Sequence, residues 1–410
     1  MSSPLSADAD RALPLEGITV LDLGHIYQGP YAGFLMATAG ARVIKVEPLA
    51  GEGMRVRGAN ITFSMLNTCK ESVTLDLKHP DGLAVFHKLA AKTDVVLVNF
   101  APGVPERLGI GYEQLVEDNP GLIYAHGSGF GVREQDGSLV DTSVPAMDIT
   151  IQAHSGHMEI TGYPDRAPVK SGTALIDFLG GTHLYGAITT ALFERERTGL
   201  GRSLEVRMAD AAYFGLATAL GQWHTSGEVS RQGNRHVGLG LAPYNVYRCS
   251  DGYVALIAAS NRHWRSVLSV IGREDLIPDP RLRGFADRAR EIDEVDELVE
   301  SWTSQRPKAE VAAALQDAHV PAAAVRIVDE VVNDPVRFEQ GSMNWVEHPE
   351  LGQLPLPSSP IRWHGSKLVE LDPSPSLGEH NHAVLSDLVG IDAAELERLT
   401  SIGAVGPLPT

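Results

Sequence analysis

The feature that most constrains this chain is the alternation of short apolar runs with helical patterns over its first 210 residues. Ile18–Leu23, Arg42–Glu47 and Asp94–Asn99 have the length and β-branched content of buried strands, and helical patterns such as Pro30–Ala39 separate them. This rhythm predicts a mostly parallel sheet with helices on both faces, in which ligands bind beyond the carboxyl ends of the strands. The fold class is therefore α/β, with a Rossmann-like sheet in a large domain.

The length of the chain predicts more than one domain. A chain of 410 residues exceeds one comfortable hydrophobic core. Near residue 225 the pattern changes, because Gly, Asn and Arg cluster before a hairpin pattern around Ser250–Gly252 and a helical pattern at Ile292–Leu315. We predict a large domain at 1–224, a smaller α+β domain at 225–330, and a return of 331–410 to the large domain.

Composition and charge exclude several classes of function. The formal net charge of −18 argues against a nucleic-acid partner and against an anionic membrane surface. No apolar run reaches the roughly 18 residues that a membrane span needs. Cys69 and Cys249 lie far apart and have no Cys or His neighbours at metal spacing, so we expect neither a disulfide nor a metal site. A reducing cytoplasm fits this cysteine usage.

Asp177 lies where the apolar run Ala174–Ile176 meets a long helical pattern that begins FLGGTHLYGA. One interpretation is purely structural, because Asp is a preferred N-cap residue. The other is catalytic, because a helix N-terminus favours an anionic carboxylate and carboxylates act as covalent nucleophiles. Gly180 and Gly181 would leave room for an incoming carbonyl group. The residues alone leave both interpretations open.

The turn Gly24–Pro30 follows the first strand and therefore lies on the expected ligand-binding edge of the sheet. His25, Tyr27 and Gln28 become candidates for substrate contacts there. The turn lacks the spacing G-x-G-x-x-G, which argues against a nicotinamide-dependent dehydrogenase.

Further candidates lie in loops that follow or precede other strands. Asn99 and Phe100 end the run DVVLV, and Arg107 follows, a combination that suits a nucleotide phosphate or adenine. Lys70 precedes a strand and is a second candidate for phosphate; for both basic residues the alternative is a solvated side chain. Gly238 and Gly240 predict either a mobile lid or a plain linker.

Seven blocks of sequence stand in a fixed order along the chain. They are PLEGITVLDLGHIYQGPYAGFLMATAGARVIKVEP, LNTCKESVTLDLKHPDG, VLVNFAPGVPERLG, NPGLIYAHGSGFG, ALIDFLGGTHLYGAITTALFERERTGLGRSLEVRMADA, GNRH with APYNVYRCSDGYVALI, and LGEHNHAVLSDLVGI. Together they resemble the class III CoA-transferase family, whose relatives include formyl-CoA:oxalate and carnitine CoA-transferases, and the similarity covers about residues 14 to 403.

The resemblance implies an activity and an assembly. The expected reaction moves coenzyme A, a cosubstrate, from an acyl-CoA to a small carboxylic acid through an aspartyl-CoA thioester on Asp177, without a permanently bound cofactor. The expected assembly is an interlocked homodimer. The implied CoA contacts are Lys70, Asn99, Phe100 and Arg107, and a Gly-rich loop that closes over the thioester is loosely matched by Gly238 and Gly240.

The chain departs from the family pattern in two places. It has only two glycines in the loop where formyl-CoA transferase has a run of them. It has Tyr27 and Gln28 where that enzyme has an active-site glutamine one position earlier. Both departures argue against oxalate or formate as the substrate.

The nearest alternative is an α-methylacyl-CoA racemase, a class of enzyme that shares this fold and the aspartate position. Racemases pair the aspartate with a histidine, so that two bases flank an α-carbon. Met147 stands at the histidine position here, and methionine cannot carry a proton; His126, His154 and His157 are out of register. Transfer is therefore favoured over racemisation. A CoA-binding protein without catalysis is a further alternative, which the intact Asp177 segment disfavours.

The sequence does not define the pair of acids. Dicarboxylic acids such as succinate or mesaconate fit the family, and a second carboxylate would need a cationic partner. Arg55, Arg57 and His25 are candidates for that role, with solvated surface side chains as the alternative for the arginines.

Overall fold

The computed structural model of the protein describes residues 11–56, 60–134, 138–140, 144–238, 240–366 and 368–407. The chain forms two compact units. The first unit comprises the described residues within Met1–Ile151, Thr173–Ala212 and Asp334–Thr410, and the second comprises those within Gln152–Gly172 and Tyr213–Asn333. The segment 225–330, predicted as a small domain, lies within the second unit.

Eleven strands are present in the described residues, and they form three sheets. Numbered along the chain, the strands are β1 (Thr19–Asp22), β2 (Arg42–Glu47), β3 (Glu71–Thr74), β4 (Val95–Val98), β5 (Ile123–Ser128), β6 (Arg202–Arg207), β7 (Tyr244–Cys249), β8 (Gly252–Ile257), β9 (Ala322–Ala324), β10 (Met343–His348) and β11 (Gly352–Pro357).

The helices connect and cover these strands. Among the described residues, none of them is both long and apolar enough to cross a bilayer. The α-helices are α1 (Gln28–Ala37), α2 (Gly53–Val56), α3 (Asn60–Asn67), α4 (Pro80–Ala90), α5 (Val104–Arg107), α6 (Tyr112–Leu115), α7 (Asp148–His154), α8 (Leu175–Thr198), α9 (Met208–Tyr213), α10 (Ala217–Ser226), α11 (Asn261–Val270), α12 (Phe285–Arg290), α13 (Ile292–Thr303), α14 (Lys308–Asp317), α15 (Val328–Val332), α16 (Pro335–Glu339), α17 (Asn381–Val389) and α18 (Ala393–Ser401).

The main sheet of the first unit is parallel throughout and has the strand order β3-β2-β1-β4-β5-β6. This is the order of a doubly wound Rossmann sheet, so the predicted α/β class is confirmed. The order reverses between β1 and β4, which pair directly. Ligands in such sheets bind at this reversal, beyond the carboxyl ends of the strands.

The two faces of the main sheet support two separate hydrophobic clusters, because successive side chains of a strand point to opposite faces. In β4, Val96 and Val98 join the cluster that also contains Phe86 of α4. Val95 and Leu97 join the cluster that contains Leu184 and other residues of α8. Strands that are buried on both faces explain the continuous apolar runs of the sequence.

The C-terminal segment packs on the outer strand of this sheet. Asn381, at the start of α17, is fully buried and accepts a hydrogen bond from the backbone N–H of Thr74 at 2.8 Å. Its side-chain nitrogen donates to Thr74 Oγ1 and to the carbonyl oxygen of Gly406, both at 2.9 Å. One asparagine therefore joins β3 to two distant parts of the C-terminal segment.

The second unit has a core of its own. The predicted hairpin is confirmed, since β7 and β8 pair antiparallel and β9 adds to β8. Tyr247 and Trp264 are among the buried side chains of its hydrophobic cluster. The prediction of one helix over Ile292–Leu315 is wrong, because the chain forms α13 and α14 there. Pro307 precedes α14, and a proline pushes the residue before it out of helical conformation.

Candidate active site

A cavity of about 360 Å³ lies at the reversal of the main sheet, within the first unit. The loops that follow β1, β4 and β5 line it, together with the start of α8. Its volume falls in the range of small-molecule sites. The residues that line it are His25, Ile26, Gln28, Asn99, Phe100, Ala101, Pro102, Gly127, Ser128, Gly129, Phe130, Gly131, Val140, Val144, Pro145, Ala146, Met147, Asp177 and Met208.

Asn99 joins the loops after β1 and β4 across the reversal. Its Oδ1 accepts a hydrogen bond from the backbone N–H of His25 at 2.7 Å, and its Nδ2 donates to the carbonyl oxygen of His25 at 2.9 Å. The ring centroids of His25 and Phe100 lie 5.1 Å apart. Asn99 therefore fixes the position of the β1–α1 turn with both ends of its amide.

Buried charges hold the same turn from below. Asp22 Oδ1 accepts from the backbone N–H of Gly24 at 2.7 Å, and the ammonium group of Lys45 donates to the carbonyl oxygen of Gly24. Both side chains are fully buried. Ile26 has a φ of +67°, a conformation that costs a β-branched residue about 1–3 kcal/mol and persists only where the surroundings hold it. The anchors at Gly24 and His25 supply that restraint.

Asp177 is the third residue of α8, and Ala174 occupies the N-cap position without a side-chain hydrogen bond. The backbone donors at the helix start are instead satisfied from a distance, because Asp148 Oδ1 accepts from the backbone N–H of Ile176 at 2.8 Å and of Asp177 at 3.3 Å. The interpretation of Asp177 as the N-cap is therefore wrong. Its carboxyl group instead lines the cavity.

The Asp177 carboxyl group resists ionisation. Burial raises its pKa, and the nearby carboxylate of Asp148 raises it further, to about 7. Strongly shifted carboxyl groups in clefts are typical of functional sites. At neutral pH a substantial fraction of Asp177 is therefore ionised and able to act as a nucleophile, while the remainder is protonated.

His25 is neutral at physiological pH. Burial and the positive charge of Lys45 lower its pKa to about 4. Its Nδ1 lies 3.9 Å from Glu52 Oε2, a contact that is consequently not an ion pair at neutral pH. His25 therefore presents a neutral imidazole to the cavity, which argues against its predicted role as a cationic partner for a second carboxylate.

The predicted CoA contacts fall into two groups. Asn99 and Phe100 line the cavity, and Arg107 ends α5 with an exposed side chain.

The prediction for Lys70 is wrong, because this residue is buried and its ammonium group donates to Asp22 Oδ2 at 2.7 Å, to the carbonyl oxygen of Pro30 at 2.8 Å and to Asn67 Oδ1 at 3.0 Å. All three donors are used, so Lys70 fastens α1 and cannot meet a phosphate.

The predicted carboxylate-binding arginines are not placed to meet a second carboxylate. Arg55 donates from Nε and from a terminal nitrogen to Glu47, at 3.0 and 2.8 Å, and its guanidinium stacks over Phe63 at 4.0 Å. These internal contacts contradict the hypothesis that Arg55 holds a substrate. Arg57 lies outside the described residues.

The predicted glycines have different surroundings. A Cβ atom added to Gly180 would lie 2.8 Å from Gln28 Nε2, and one added to Gly181 would lie 2.7 Å from the carbonyl oxygen of Gln28. Both glycines thus admit α1 close to α8. Gly238 and Gly240 belong to the second unit, where Gly238 has a φ of +88°, and their role as a lid stays a prediction.

Tyr27 and Gln28 differ in how they meet the cavity. Gln28 lines it, whereas the ring of Tyr27 packs edge-on against Phe178 at 5.6 Å. The segment Gly127–Gly131, at the end of β5 and just beyond it, also lines the cavity and was not among the candidates selected from the sequence. Its place after a parallel strand was a usable signal, by the same rule that selected the turn after β1.

The histidines considered for a racemase do not join Asp177 in the cavity lining. Met147 does, at the position where a racemase would carry its second base. His126 is buried with Nε2 2.8 Å from the carbonyl oxygen of Phe100, and His154 and His157 belong to the second unit. A methionine cannot take up a proton from an α-carbon, so the position of a racemase's second base does not supply one in this chain.

Comparison with known proteins agrees with this site. The sequence profile of CoA-transferase family III matches residues 15–381. Acetyl-CoA:oxalate CoA-transferase of Acetobacter aceti is 34% identical over 389 residues, which are 93% of this chain and 97% of that protein. Succinyl-CoA–D-citramalate CoA-transferase of Chloroflexus aurantiacus is 30% identical over 394 residues, which are 94% of this chain and 96% of that protein. The crystal structure of a CAIB/BAIF family protein from Brucella suis matches with a TM-score of 0.80 and 30% identity, over 92% of this chain and 100% of that one.

The fold and the carboxylate site define an α/β enzyme, and these matches show which kind. The chain belongs to CoA-transferase family III, and the protein is a CoA-transferase. The resemblance noted from the sequence blocks is thereby confirmed.

Proposed function

We propose that this enzyme moves coenzyme A from an acyl-CoA to a small carboxylic acid through covalent adducts on Asp177. The observation that carries the proposal is the position of Asp177. This residue lines a cavity at the sheet reversal, and Asp148 rather than Asp177 caps α8. A carboxylate with a pKa near 7 is a better nucleophile, once ionised, than one at the ordinary value.

The proposed reaction has four balanced steps. An Asp177 oxygen attacks the thioester carbon, the C–S bond breaks, and CoA leaves as a thiolate from a mixed anhydride. The thiolate attacks the aspartyl carbonyl and expels the donor acid, which gives an aspartyl-CoA thioester. The acceptor carboxylate attacks that thioester and releases the thiolate again. The thiolate finally attacks the acceptor carbonyl, which yields the new acyl-CoA and restores Asp177.

The surroundings of Asp177 suit these intermediates. Ile26, Phe130 and Met208 contribute apolar walls, which exclude water from an anhydride that water would hydrolyse. Phe100 and Asn99, which line the cavity, are our candidates for contacts with CoA. Among the described residues the side chain of Arg107 has no ion-pair or hydrogen-bond partner, so it is our candidate for a CoA phosphate.

We further propose a cytoplasmic homodimer with the interlocked arrangement of the family. Exposed aromatic side chains support an interface on each unit, since large apolar groups on a surface mark contact sites. Phe193 of α8 is 66% exposed, and Phe214 in the second unit is 87% exposed.

The acceptors of the two relatives named above, oxalate and D-citramalate, are the first acids to test, followed by succinate, glutarate and mesaconate.

The test is product analysis by mass spectrometry. The enzyme is incubated in deuterated water with succinyl-CoA or acetyl-CoA and each acid in turn. We expect a new acyl-CoA that appears only with an added acid and carries no deuterium at its α-carbon. Deuterium at that carbon without dependence on an acid would instead indicate racemisation and refute the proposal.

The nucleophile is tested with a matched pair of variants. Asp177→Asn keeps the shape of the side chain and removes its nucleophilic oxygen, so transfer should fall below detection while acyl-CoA still binds. Asp118→Asn changes an exposed aspartate of the same unit and should turn over like the parent. In the parent enzyme, hydroxylamine should trap an aspartyl hydroxamate at residue 177. In Asp177→Asn it should trap none. Transfer by Asp177→Asn at the parental rate would refute the assignment.

A further inference from the structure

The side-chain amide of Gln28 is buried without using all of its hydrogen-bonding capacity. Gln28 is 2% exposed and opens α1. Its Nε2 makes no hydrogen bond within the part of the chain that the structure describes. A buried donor without a partner costs about 1–3 kcal/mol, so its retention in a packed site calls for an explanation.

Two glycines make the space that the amide occupies. A Cβ atom added to Gly127, at the end of β5, would lie 2.7 Å from Gln28 Oε1, and one added to Gly180 would lie 2.8 Å from Nε2. The amide is therefore held between β5 and α8. Gly180 follows Asp177 by three residues, and residues three apart share one face of a helix with Cβ atoms about 5–6 Å apart. Gln28 lines the same cavity as Asp177, and its amide packs against the turn of α8 that carries the nucleophile.

We propose that Gln28 is a catalytic residue whose side-chain N–H donates a hydrogen bond to the acyl carbonyl oxygen as Asp177 attacks. The inference rests on the proposed function. In that step an Asp177 oxygen forms a bond to the thioester carbon, and the carbonyl π electrons move to oxygen. When this oxyanion collapses, the C–S bond breaks and CoA leaves as a thiolate. No proton moves, and Gln28 remains a neutral amide throughout.

A neutral donor suits this position better than a cation. A lysine or arginine there would pair with the Asp177 carboxylate and weaken it as a nucleophile, whereas an amide binds the developing oxyanion without holding the carboxylate in an ion pair. The last torsion of a glutamine is broad and two-fold, so the amide can turn its donor toward a bound carbonyl. Preformed donors of this kind act strongly where water is excluded.

The first test replaces Gln28 with methionine, which keeps the length of the side chain and removes its donors. We expect kcat to fall about 100- to 1,000-fold, as for the loss of one oxyanion donor, with KM for the acyl-CoA within about threefold of the parent. Thermal stability should not fall, because the substitution also removes an unpartnered buried donor. A parental kcat overturns the proposal, and so does a loss of activity that is matched by a loss of thermal stability.

The second test moves the amide without changing it. Gly180→Ala places a methyl group against Nε2, so it should lower kcat in the same manner as Gln28→Met. Gly186→Ala in the same helix meets no described atom within 4 Å and should keep the parental kcat. A parental kcat in Gly180→Ala would contradict the position assigned to the amide. Activity in Asp177→Asn would refute the proposed function, whereas an inactive Asp177→Asn beside a fully active Gln28→Met would refute this inference alone.

Discussion

At the scale of single residues, the site depends on two aspartates with divided duties. Asp148 satisfies the backbone at the start of α8. Burial raises the pKa of Asp177, and the negative charge of Asp148 raises it further, so Asp177 stays partly protonated at neutral pH. The burial of the Asp177 carboxylate beside a second negative charge lowers the stability of the folded protein. The same environment makes this carboxylate more reactive, which serves catalysis. Two predictions follow from this division.

The first prediction concerns stability. The pKa of Asp177 is raised in the folded protein from an ordinary value of 3.8 to about 7. The folded state therefore binds a proton more tightly than the unfolded state, so the resulting stabilisation is complete below about pH 4 and is lost as the pH rises through 7. Asp177→Asn should consequently raise the melting temperature by about 3 °C or more at pH 8 and by much less at pH 4.5. Melting curves at the two pH values check this; an equal shift at both would contradict it.

The second prediction concerns the pH dependence of turnover. The ionised form of Asp177 is the nucleophile, so kcat should rise with pH through the neutral range. Asp148→Asn keeps an oxygen that accepts from the helix backbone but removes the charge that opposes ionisation. The ratio of kcat at pH 6 to kcat at pH 8 should therefore increase about two- to threefold. A pH–rate profile that is unchanged would show that Asp148 does not act on the nucleophile through its charge.

At the scale of elements, the β1–α1 turn matters most for the site, because it lies at the sheet reversal and lines the cavity. Its backbone at Ile26 is left-handed, and hydrogen bonds with Asp22, Lys45 and Asn99 hold the two residues that precede Ile26. The turn delivers Ile26, His25 and Gln28 to the cavity. Rigid anchoring of this kind places reacting groups without an entropic loss during the reaction.

The third prediction tests this anchoring. Asn99→Asp keeps the acceptor for His25 N–H but replaces the donor with an oxygen that faces the carbonyl oxygen of His25. The free energy of unfolding should fall by about 1–3 kcal/mol, and kcat should fall at least about tenfold because the turn shifts.

Its control is Asn119→Asp. Asn119 donates to the carbonyl oxygens of Ala90 and Thr93, before the start of β4 and so away from the strand ends that line the cavity. This variant should lose similar stability and keep kcat within about twofold of the parent. Equal losses of kcat in the two variants would contradict the claim that turnover depends on the anchoring of the β1–α1 turn by Asn99.

Local patterns explain which elements could be predicted. β2 begins and ends where the sequence pattern predicted, at Arg42 and Glu47, because an apolar run bounded by turn signals determines a buried strand locally. Gly199 terminates α8 in the left-handed conformation, as its glycine predicted. The division of α13 from α14 was missed because the apolar periodicity continues across Pro307.

Long-range pairings explain what the sequence did not predict in the site. Lys70 pairs with Asp22, 48 residues away, and Asp148 caps a helix 28 residues later in the chain. Neither partner is visible from spacing, since both pairings exist only once the sheet has assembled. A lysine next to a predicted strand therefore resembled a surface cation, and Asp177 resembled a cap.

At the scale of the whole molecule, the outstanding prediction is the assembly. Sedimentation analysis should give a particle of twice the chain's 44.0 kDa. Phe193→Lys places a charge on an exposed aromatic position of α8 and should shift the particle toward the monomer, because a buried unpaired charge opposes association. A dimer that is equally stable in this variant would exclude Phe193 from the interface.

The separation of capping from chemistry at the start of α8 also bears on how the enzyme could be redesigned. Because Asp148 satisfies the backbone donors of Ile176 and Asp177, the side chain at position 177 can be exchanged while the helix keeps its first turn. Cysteine or serine installed there would sit beside the same cavity with a different reactivity. The scaffold is therefore suited to acyl-transfer catalysts whose nucleophile is chosen by the designer, with Asp148 supporting the helix in each of them.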